Sequence, residues 1–187
     1  MTRITTARRE DCHALATIHV ESWQAAYVSL FPAEYLASLS IDERQESWIS
    51  ILETSASRTL IAKRDGDAWG FVTFGRCRDA GAAADRGEVW ALYVAPRAWS
   101  SGVGWALWET ARVLMLHQGF AEVSLWVLSG NARGLRFYES IGFVRDAGSE
   151  QHFERGGVKL AEVRLVFSGM SACPAIERHT ANRRLHT

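Results

Sequence analysis

Two glycines, Gly102 and Gly104, separate a run of residues typical of a strand, Glu88–Val94, from a run typical of an amphipathic helix. Neither glycine has a Cβ, so the backbone can turn tightly and a bulky anion can reach its N–H groups. The first N–H groups of a helix lack an intrahelical partner and lie at the positive end of the helix dipole. The segment therefore suits a phosphate, although a purely structural turn would have the same pattern.

The glycine pair belongs to neither of the two best-known phosphate-binding motifs. A Walker A loop requires Gly-Lys-Ser/Thr, and the dinucleotide-binding fingerprint requires a third glycine; this sequence has neither. The unit that follows strengthens the functional interpretation: a predicted strand over Glu122–Val127, then Asn131, a helix, and Gly142-Phe143. Asn131 is a good N-cap, and Gly142 fits a left-handed helix C-cap.

The elements that position these residues follow from the spacing of apolar side chains. Alternating or short apolar runs predict strands over Ile4–Arg8, Thr59–Lys63, Ala68–Phe74, Glu88–Val94, Glu122–Val127, Phe143–Arg145 and Leu160–Phe167. Helical spacing predicts helices after the N-cap Asp11, over Asp42–Leu52, from Gly102–Gly104 onward and over Asn131–Ile141. The order is β-α-α-β-β-β-α-β-α-β-β, an α/β chain.

Composition limits the classes of function. A chain of 187 residues with 48% apolar and 22% charged residues fits one folded domain; we place it over residues 1–167, followed by a polar tail over 168–187. The formal net charge of zero disfavours nucleic acid, including a role for the arginines of the tail, and a membrane surface as partners. Three scattered cysteines exclude a disulfide framework and indicate no metal site. Without a signal peptide or a membrane-spanning run, we expect a cytoplasmic protein.

At these motifs the chain resembles the GCN5-related N-acetyltransferase (GNAT) superfamily. The resemblance lies in Val94-x-Pro96 followed by Gly102-x-Gly104-x-x-Leu107, and in Asn131 followed by Arg136-Phe137-Tyr138-x-x-x-Gly142-Phe143. A third match is the segment Glu21–Tyr27 with Pro32, which is similar to one small-substrate branch. The resemblance is strong over Glu88–Phe143 and absent in the tail.

The resemblance implies a three-layer α/β fold with a mixed, mostly antiparallel sheet, in which parallel strands 4 and 5 splay apart and are flanked by helices. Acetyl-CoA would lie in that wedge as co-substrate. The implied cofactor-binding residues are Leu92, Tyr93, Val94, Arg97, Trp99, Ser100, Ser101, Gly102, Val103, Gly104, Trp105, Asn131, Arg133, Arg136 and Phe137. Trp99 replaces a usual Gln or Arg, and Ser101 a frequently basic residue. Arg97, Arg133 and Arg136 are the available substitutes for phosphate binding.

The resemblance also assigns the chemistry of acetyl transfer to an amine. Glu88 is the candidate base, and its alternative is a solvated carboxylate at a strand end. Tyr138 is the candidate acid for the departing thiolate, and a backbone N–H near Tyr93 or Val94 would stabilise the oxyanion. Trp23, Tyr27 and Trp90 are candidates for the acceptor pocket, whose remaining walls we expect from segments 31–42, 77–87 and 152–157. His19 is a weaker acid/base candidate.

Two functions remain open on the sequence alone. The first is an acetyl-CoA-dependent N-acetyltransferase that acts on a primary amine of a small molecule or peptide in a ternary complex. The second is a non-catalytic sensor that binds coenzyme A or an acyl-CoA with the same fold. His13 follows Cys12 in the sequence, but neither Cys12 nor Cys77 belongs to a motif typical of a cysteine nucleophile, which argues against an acetyl-cysteine route. The resemblance leaves open a homodimer and does not identify the acceptor.

Overall fold

A single twisted sheet with helices on both faces forms the structure, a computed structural model that describes residues 1–170. The strands are β1 (Arg3–Thr6), β2 (Ser57–Arg64), β3 (Asp67–Arg76), β4 (Arg86–Val94), β5 (Glu122–Leu128), β6 (Val144–Arg145), β7 (Gln151–Arg155) and β8 (Val158–Phe167). The helices are α1 (Cys12–Ala26), α2 (Ala33–Ala37), α3 (Ile41–Glu53), α4 (Val103–His117) and α5 (Ala132–Ser140). The sheet order is β1-β2-β3-β4-β5-β8-β6, with β7 paired to β8.

All strand pairs in the sheet are antiparallel except β4 with β5, which run parallel. Those two strands pair only at their beginnings, where residues 86–88 lie beside residues 122–124. From Val89 onward β4 pairs only with β3, whereas β5 continues along β8. The predicted mixed sheet with a splayed parallel pair is therefore confirmed.

A β-bulge accompanies the divergence of the two strands. Thr73 of β3 lies opposite Ala91 of β4, and the next residue, Phe74, lies opposite Val89, so Trp90 is an extra residue without a partner. A bulge bends its strand and increases the local twist. We infer that the bulge at Trp90 helps to turn the second half of β4 away from β5.

Alternation along the central strands divides the core between the two faces of the sheet. Val72 and Phe74 of β3 pack with Leu107 and Met115 of α4 on one face. Phe71, which directly precedes Val72, points to the other face and packs with Leu15 of α1, together with Trp48 of α3. A third apolar cluster joins the end of α1 and α2 to the β7–β8 hairpin and contains Tyr27, Phe31, Leu36, Leu128 and Leu160.

The structure adds two elements to those expected from sequence. Helix α2 lies in segment 31–42, and β7 occupies segment 152–157, which we had treated as a pocket-forming loop. Asp11 precedes α1 as predicted, but its carboxylate accepts from the backbone N–H of Arg8 at 2.9 Å and gives no cap bond to the helix. Within the region predicted as a tail, Met170 is buried against the α4 face of the core; residues 171–187 lie outside the described residues. No helix of residues 1–170 is long and apolar enough to cross a membrane.

Candidate active site

The divergence of β4 from β5 leaves a cavity of about 830 Å³. Its walls come from α1, the second half of β4, the turn before α4, the end of β5, α5 and the β7–β8 hairpin. At one end lie the glycine turn and the arginines of α5. At the other end lie aromatic side chains of α1, β5 and β7, so one cavity connects the glycine turn to an aromatic pocket.

The glycine turn has the geometry that an anion site requires. Gly102 has φ of 84°, in the left-handed region, and α4 begins at the next residue. Ala106 donates the first bond of the helix, to the Gly102 carbonyl at 3.0 Å, so the N–H groups of the preceding residues have no intrahelical acceptor. They lie at the positive end of a helix of 15 residues, which is the arrangement expected from the sequence.

Gly104 permits a close contact between α4 and α5. A Cβ at this position would lie 3.3 Å from the ring of Phe137 and 3.5 Å from a methyl group of Val94. The first turn of α4 therefore packs directly on α5 and on the end of β4. The glycine pair thus has two separate roles, since Gly102 supplies the turn and Gly104 supplies the space.

Trp99, where the resemblance leads one to expect Gln or Arg, organises the turn through its ring. Its indole N–H donates to the Val94 carbonyl at 2.8 Å, and the hydroxyl of Ser22 donates to the same carbonyl at 3.1 Å. The guanidinium of Arg133 lies over the Trp99 ring, 4.2 Å from its centroid. A cation held in this way on an aromatic face places positive charge beside the turn where the sequence lacks a basic residue.

We predict that Arg133→Gln raises the dissociation constant of acetyl-CoA by about tenfold, which is typical of one lost hydrogen bond to a charged group. Calorimetric titration measures the change, and the loss should shrink at high salt because ions screen an exposed pair. Arg145→Gln is the matched control, since Arg145 is an exposed arginine just beyond α5 that pairs with Glu139. Equal affinities of the Arg133→Gln variant and the wild type would contradict the assignment.

Three tyrosines, Tyr27, Tyr93 and Tyr138, line the cavity. Burial raises the pKa of each phenol above its ordinary value, and the proximity of the phenols adds to the effect for Tyr27 and Tyr138. All three phenols are therefore protonated at neutral pH. The Tyr93 hydroxyl accepts from the indole N–H of Trp23 at 2.9 Å, and the Tyr27 hydroxyl accepts from the Asn131 amide at 3.4 Å. Tyr138 can thus act as a proton donor in this pocket.

Glu88 is 2% exposed and lies next to the cavity wall rather than on it. Its carboxylate accepts from the backbone N–H of Arg78 at 2.8 Å and from Nε of the same arginine at 3.1 Å. Arg78 itself lines the cavity, with its guanidinium 4.5 Å from the centroid of the Trp90 ring. The glutamate is therefore buried in an ion pair, and Arg78 separates it from the open space.

His19 is stacked on Tyr93, with ring centroids 4.6 Å apart, and is not among the residues lining the cavity. Burial, followed by the charges of Arg44 and Arg155, lowers the pKa of His19 to about 3. The imidazole is neutral at physiological pH and is a weak proton acceptor. Its place in the structure is that of a packing residue behind Tyr93.

The sequence model of the acetyltransferase (GNAT) family matches residues 20–143, more than half of the chain. The chain is also 32% identical over 173 residues to an uncharacterized N-acetyltransferase, YuaI, of Bacillus subtilis, and this match covers 92% of the chain and 96% of the relative. The chain belongs to the GNAT family of acetyltransferases. The matched region contains the glycine turn, both strands of the wedge and α5.

Two further acetyltransferases are similar to the chain. The chain is 27% identical over 139 residues to a spermidine N(1)-acetyltransferase of Thermoplasma acidophilum, a match that covers 72% of the chain and 83% of the relative. In three dimensions it resembles the PaiA N-acetyltransferase of the same organism, solved in complex with coenzyme A, with a TM-score of 0.72 and 23% identity over 90% of this chain and 99% of that one. The structural likeness establishes a shared fold.

In this GNAT chain most of the site residues expected from sequence lie around one cavity. Those that line it are Trp23, Tyr27, Trp90, Leu92, Tyr93, Val94, Trp99, Ser100, Ser101, Gly102, Gly104, Trp105, Asn131, Arg133, Arg136, Phe137 and Tyr138. Glu88, Val103 and Arg97 are not among them. The side chain of Val103 is buried in the core, and Arg97 turns away to donate to the Ala68 carbonyl at 2.7 Å.

Several cavity residues were not singled out from sequence. They are chiefly Ser22, Phe31, Arg78, Trp126, Phe153, Arg155 and Glu162. Phe31, Arg78, Phe153 and Arg155 fall in the segments expected to shape the acceptor pocket, but nothing in the sequence distinguished them from their neighbours. Trp126 and Glu162 are strand residues that only the pairing of β5 with β8 brings to the cavity.

Proposed function

We propose that this GNAT protein transfers an acetyl group from acetyl-CoA directly to a primary amine of a small molecule or peptide, with both substrates bound at once. One observation carries the proposal: a single cavity joins the glycine turn, the diverging strands and an aromatic pocket containing Tyr138. A thioester held along β4 and an amine in the aromatic pocket would meet where the strands part. Such positioning is itself a large part of catalysis of a two-substrate reaction.

The residues present suit acetyl-CoA. The free N–H groups at the start of α4 and the guanidinium groups of Arg133 and Arg136 would hold its phosphates. β4 lacks a β5 partner beyond Glu88, so an extended pantetheine arm can lie along Leu92–Val94. The Val94 carbonyl already accepts hydrogen bonds from Trp99 and Ser22. We therefore propose that the pantetheine arm pairs with backbone groups of β4 that precede the Val94 carbonyl.

The residues at the divergence supply the electrostatic and proton-transfer steps. A backbone N–H near Tyr93 or Val94 would stabilise the negative charge that develops on the thioester oxygen. Tyr138, protonated because burial raises its pKa, would donate a proton to the departing thiolate. Of the described cysteines, neither Cys12 nor Cys77 lines the cavity, and burial raises the pKa of Cys12, which supports direct attack by the amine.

An alkyl amine is mostly protonated at neutral pH, so its attack requires a proton acceptor. We retain Glu88 as the proposed base and place a water beside Arg78 in the path between the carboxylate and the amine, since a guanidinium cannot accept a proton. We predict that Glu88→Gln lowers kcat/KM by about 10²-fold near neutral pH, toward the low end of general-base effects because the path is indirect. The loss should shrink at high pH, where more of the amine is already neutral.

Arg78→Gln is the matched variant for that experiment, since it breaks the same ion pair but leaves the carboxylate. The pH dependence of kcat/KM for both variants separates the two roles. If Glu88 is the base, the loss in Glu88→Gln shrinks as the pH rises, whereas the loss in Arg78→Gln does not. Equal losses in the two variants, with unchanged profiles, would show that the ion pair is only structural.

The proposed reaction is tested by measuring release of free coenzyme A from acetyl-CoA in the presence of amines. The panel contains polyamines, because a relative is a spermidine N(1)-acetyltransferase, together with aminoglycosides, amino acids and short peptides. We expect at least one class to be acetylated at saturating acetyl-CoA. Tight binding of acetyl-CoA without turnover of any amine would overturn the proposal and favour a coenzyme A sensor.

A further inference from the structure

The acceptor end of the cavity contains an arginine that none of the steps above uses. Arg155, the last residue of β7, lines the cavity beside the aromatic residues. Its guanidinium lies 5.6 Å from the ring centroid of Trp23 and 5.9 Å from that of Phe153. Within residues 1–170 no carboxylate forms an ion pair with it. A cation in this position is available to a ligand.

The other charges around the cavity are already accounted for. Arg78 is neutralised by Glu88, and Arg133 and Arg136 lie on α5 at the end of the glycine turn. Glu162 is the single acidic residue of the cavity wall, and its carboxylate accepts from the Gln151 amide at 2.7 Å. Glu162 lies opposite Gln151 in the hairpin. Gln151 is four positions before Arg155 on β7, so Glu162 is roughly 13 Å from Arg155 along the strand.

The fold holds Arg155 in place over the pocket. The next residue, Gly156, has φ of 60°, and a Cβ there would lie only 2.7 Å from the ring of Tyr35. The hairpin tip therefore packs on α2 at the one position where a side chain would prevent it. Tyr35 in turn stacks on Phe31, with ring centroids 5.0 Å apart, and Phe31 packs against Trp23. Arg155 is thus positioned by a continuous aromatic cluster.

Arg155 is also linked to the reaction centre through that cluster. Trp23, under the guanidinium, donates to the hydroxyl of Tyr93 at 2.9 Å, and Tyr93 lies on β4 where the thioester is proposed to bind. The charge of Arg155 adds to the lowering of the His19 pKa and offsets part of the rise that burial causes in the pKa of Tyr93. Trp23 therefore lies between the guanidinium of Arg155 and the hydroxyl of Tyr93, and an amine bound near Tyr93 would have this positive charge across the Trp23 ring.

We propose that the acceptor is an amine that also carries a carboxylate, and that Arg155 binds this carboxylate and so orients the amine toward the thioester. The inference rests on the proposed acetyl transfer and specifies its substrate class. A guanidinium can bind a carboxylate through two parallel hydrogen bonds. A polyamine lacks an anionic group for Arg155, and its ammonium groups are repelled by the charge of this guanidinium, so this cavity disfavours it.

The test compares acceptors that differ only in the carboxylate. Initial rates are measured at saturating acetyl-CoA for leucine against leucinamide, β-alanine against β-alaninamide, and a tripeptide with a free against an amidated C-terminus. We expect kcat/KM to favour the carboxylate form by about 10- to 100-fold in at least one pair, the effect typical of a charged hydrogen-bonded pair. The first two pairs report free amino acids, and the third reports peptides.

Arg155→Gln should reduce that ratio to near one, chiefly through KM, and Arg155→Lys should retain part of it because the charge remains. Lys159→Gln is the matched control, since it removes a positive charge from the same hairpin at an exposed position that does not line the cavity; its ratio should equal that of the wild type. Thermal melting checks that each variant is folded. Because Arg155 lies away from the glycine turn, its replacement should not change the affinity for acetyl-CoA.

The results distinguish this inference from the function on which it rests. The inference is overturned if amides or polyamines are acetylated in preference to carboxylate-bearing acceptors. It is also overturned if Arg155→Gln affects both members of each pair equally. Neither result contradicts acetyl transfer itself. If no acceptor is turned over, we measure acceptor binding to the coenzyme A complex by calorimetry. The inference is supported if the carboxylate form binds, the amide form does not, and Arg155→Gln abolishes the binding. It is overturned if the carboxylate form does not bind in this way. The lack of turnover itself counts against the proposed reaction.

Discussion

Alanine at Gly102 is expected to weaken acetyl-CoA binding by about 10²–10³-fold, equivalent to the loss of one or two hydrogen bonds to charged groups. Gly102 has φ of 84° with nothing within 4 Å of the position of a Cβ, so the effect is conformational and not a steric clash. A left-handed conformation costs an alanine about 1–2 kcal/mol. The turn can relieve this strain by rotating, which would move the N–H groups at the start of α4 away from the phosphates.

Gly119 provides a matched control at the other end of the same helix. It has φ of 86° and also has nothing within 4 Å of a Cβ, but it does not line the cavity. Gly102→Ala and Gly119→Ala should therefore lose similar stability in thermal or denaturant unfolding, and only Gly102→Ala should lose affinity in calorimetric titration. Wild-type affinity of the Gly102→Ala variant would contradict the assignment of the turn as the phosphate site.

Phenylalanine at Tyr138 is expected to lower kcat by about 10²–10⁴-fold, with little change in the dissociation constant of acetyl-CoA. The substitution keeps the ring, which packs against Phe137 and Phe143 with centroid distances of 5.2 and 5.7 Å, and removes only the hydroxyl. Single-turnover rates at saturating acetyl-CoA measure the chemical step, and calorimetry measures the affinity. A loss confined to affinity would show that Tyr138 binds the coenzyme but does not donate the proton.

The pH dependence gives Tyr138 a second, independent test. Burial and the neighbouring Tyr93 raise the pKa of the phenol above its ordinary value of 10.0, so the donor form persists through neutral pH and beyond. Titration of Tyr138 should therefore produce no alkaline fall in kcat below about pH 10. Tyr35→Phe is the control for hydroxyl removal: this ring stacks on Phe31 but does not line the cavity, and its kcat should match the wild type.

Local patterns were sufficient for the elements around the glycine turn. The apolar run of β4, the glycines and the amphipathic stripe of α4 each have their own period or conformational preference, and all three were predicted close to their observed bounds. The GNAT resemblance also rested on this region, and the family match confirms it. Helix α2 and strand β7 were missed because each has only five residues, and β7 is largely exposed, so neither shows a clear apolar period.

The same contrast holds among the site residues. Tyr138 and the glycines could be named from sequence because they stand at fixed offsets in a recognisable motif. Arg155 could not, since it is one of many arginines in the chain and its importance comes from the contacts of Gly156 with Tyr35 and of its own guanidinium with Trp23. Glu88 could be named, but its burial beneath Arg78 depends on a pairing across ten residues and a bulged strand.

By itself, the sequence determined the family and the strand–turn–helix, and it predicted the tyrosine that we propose as the proton donor. These features depend on backbone conformation and on residues close together along the chain. Tertiary structure decided which charges stay free and which are neutralised. That outcome depends on strands and helices far apart in sequence, whose packing pairs Arg78 with Glu88 and leaves Arg155 facing the open end of the cavity without a partner among the described residues.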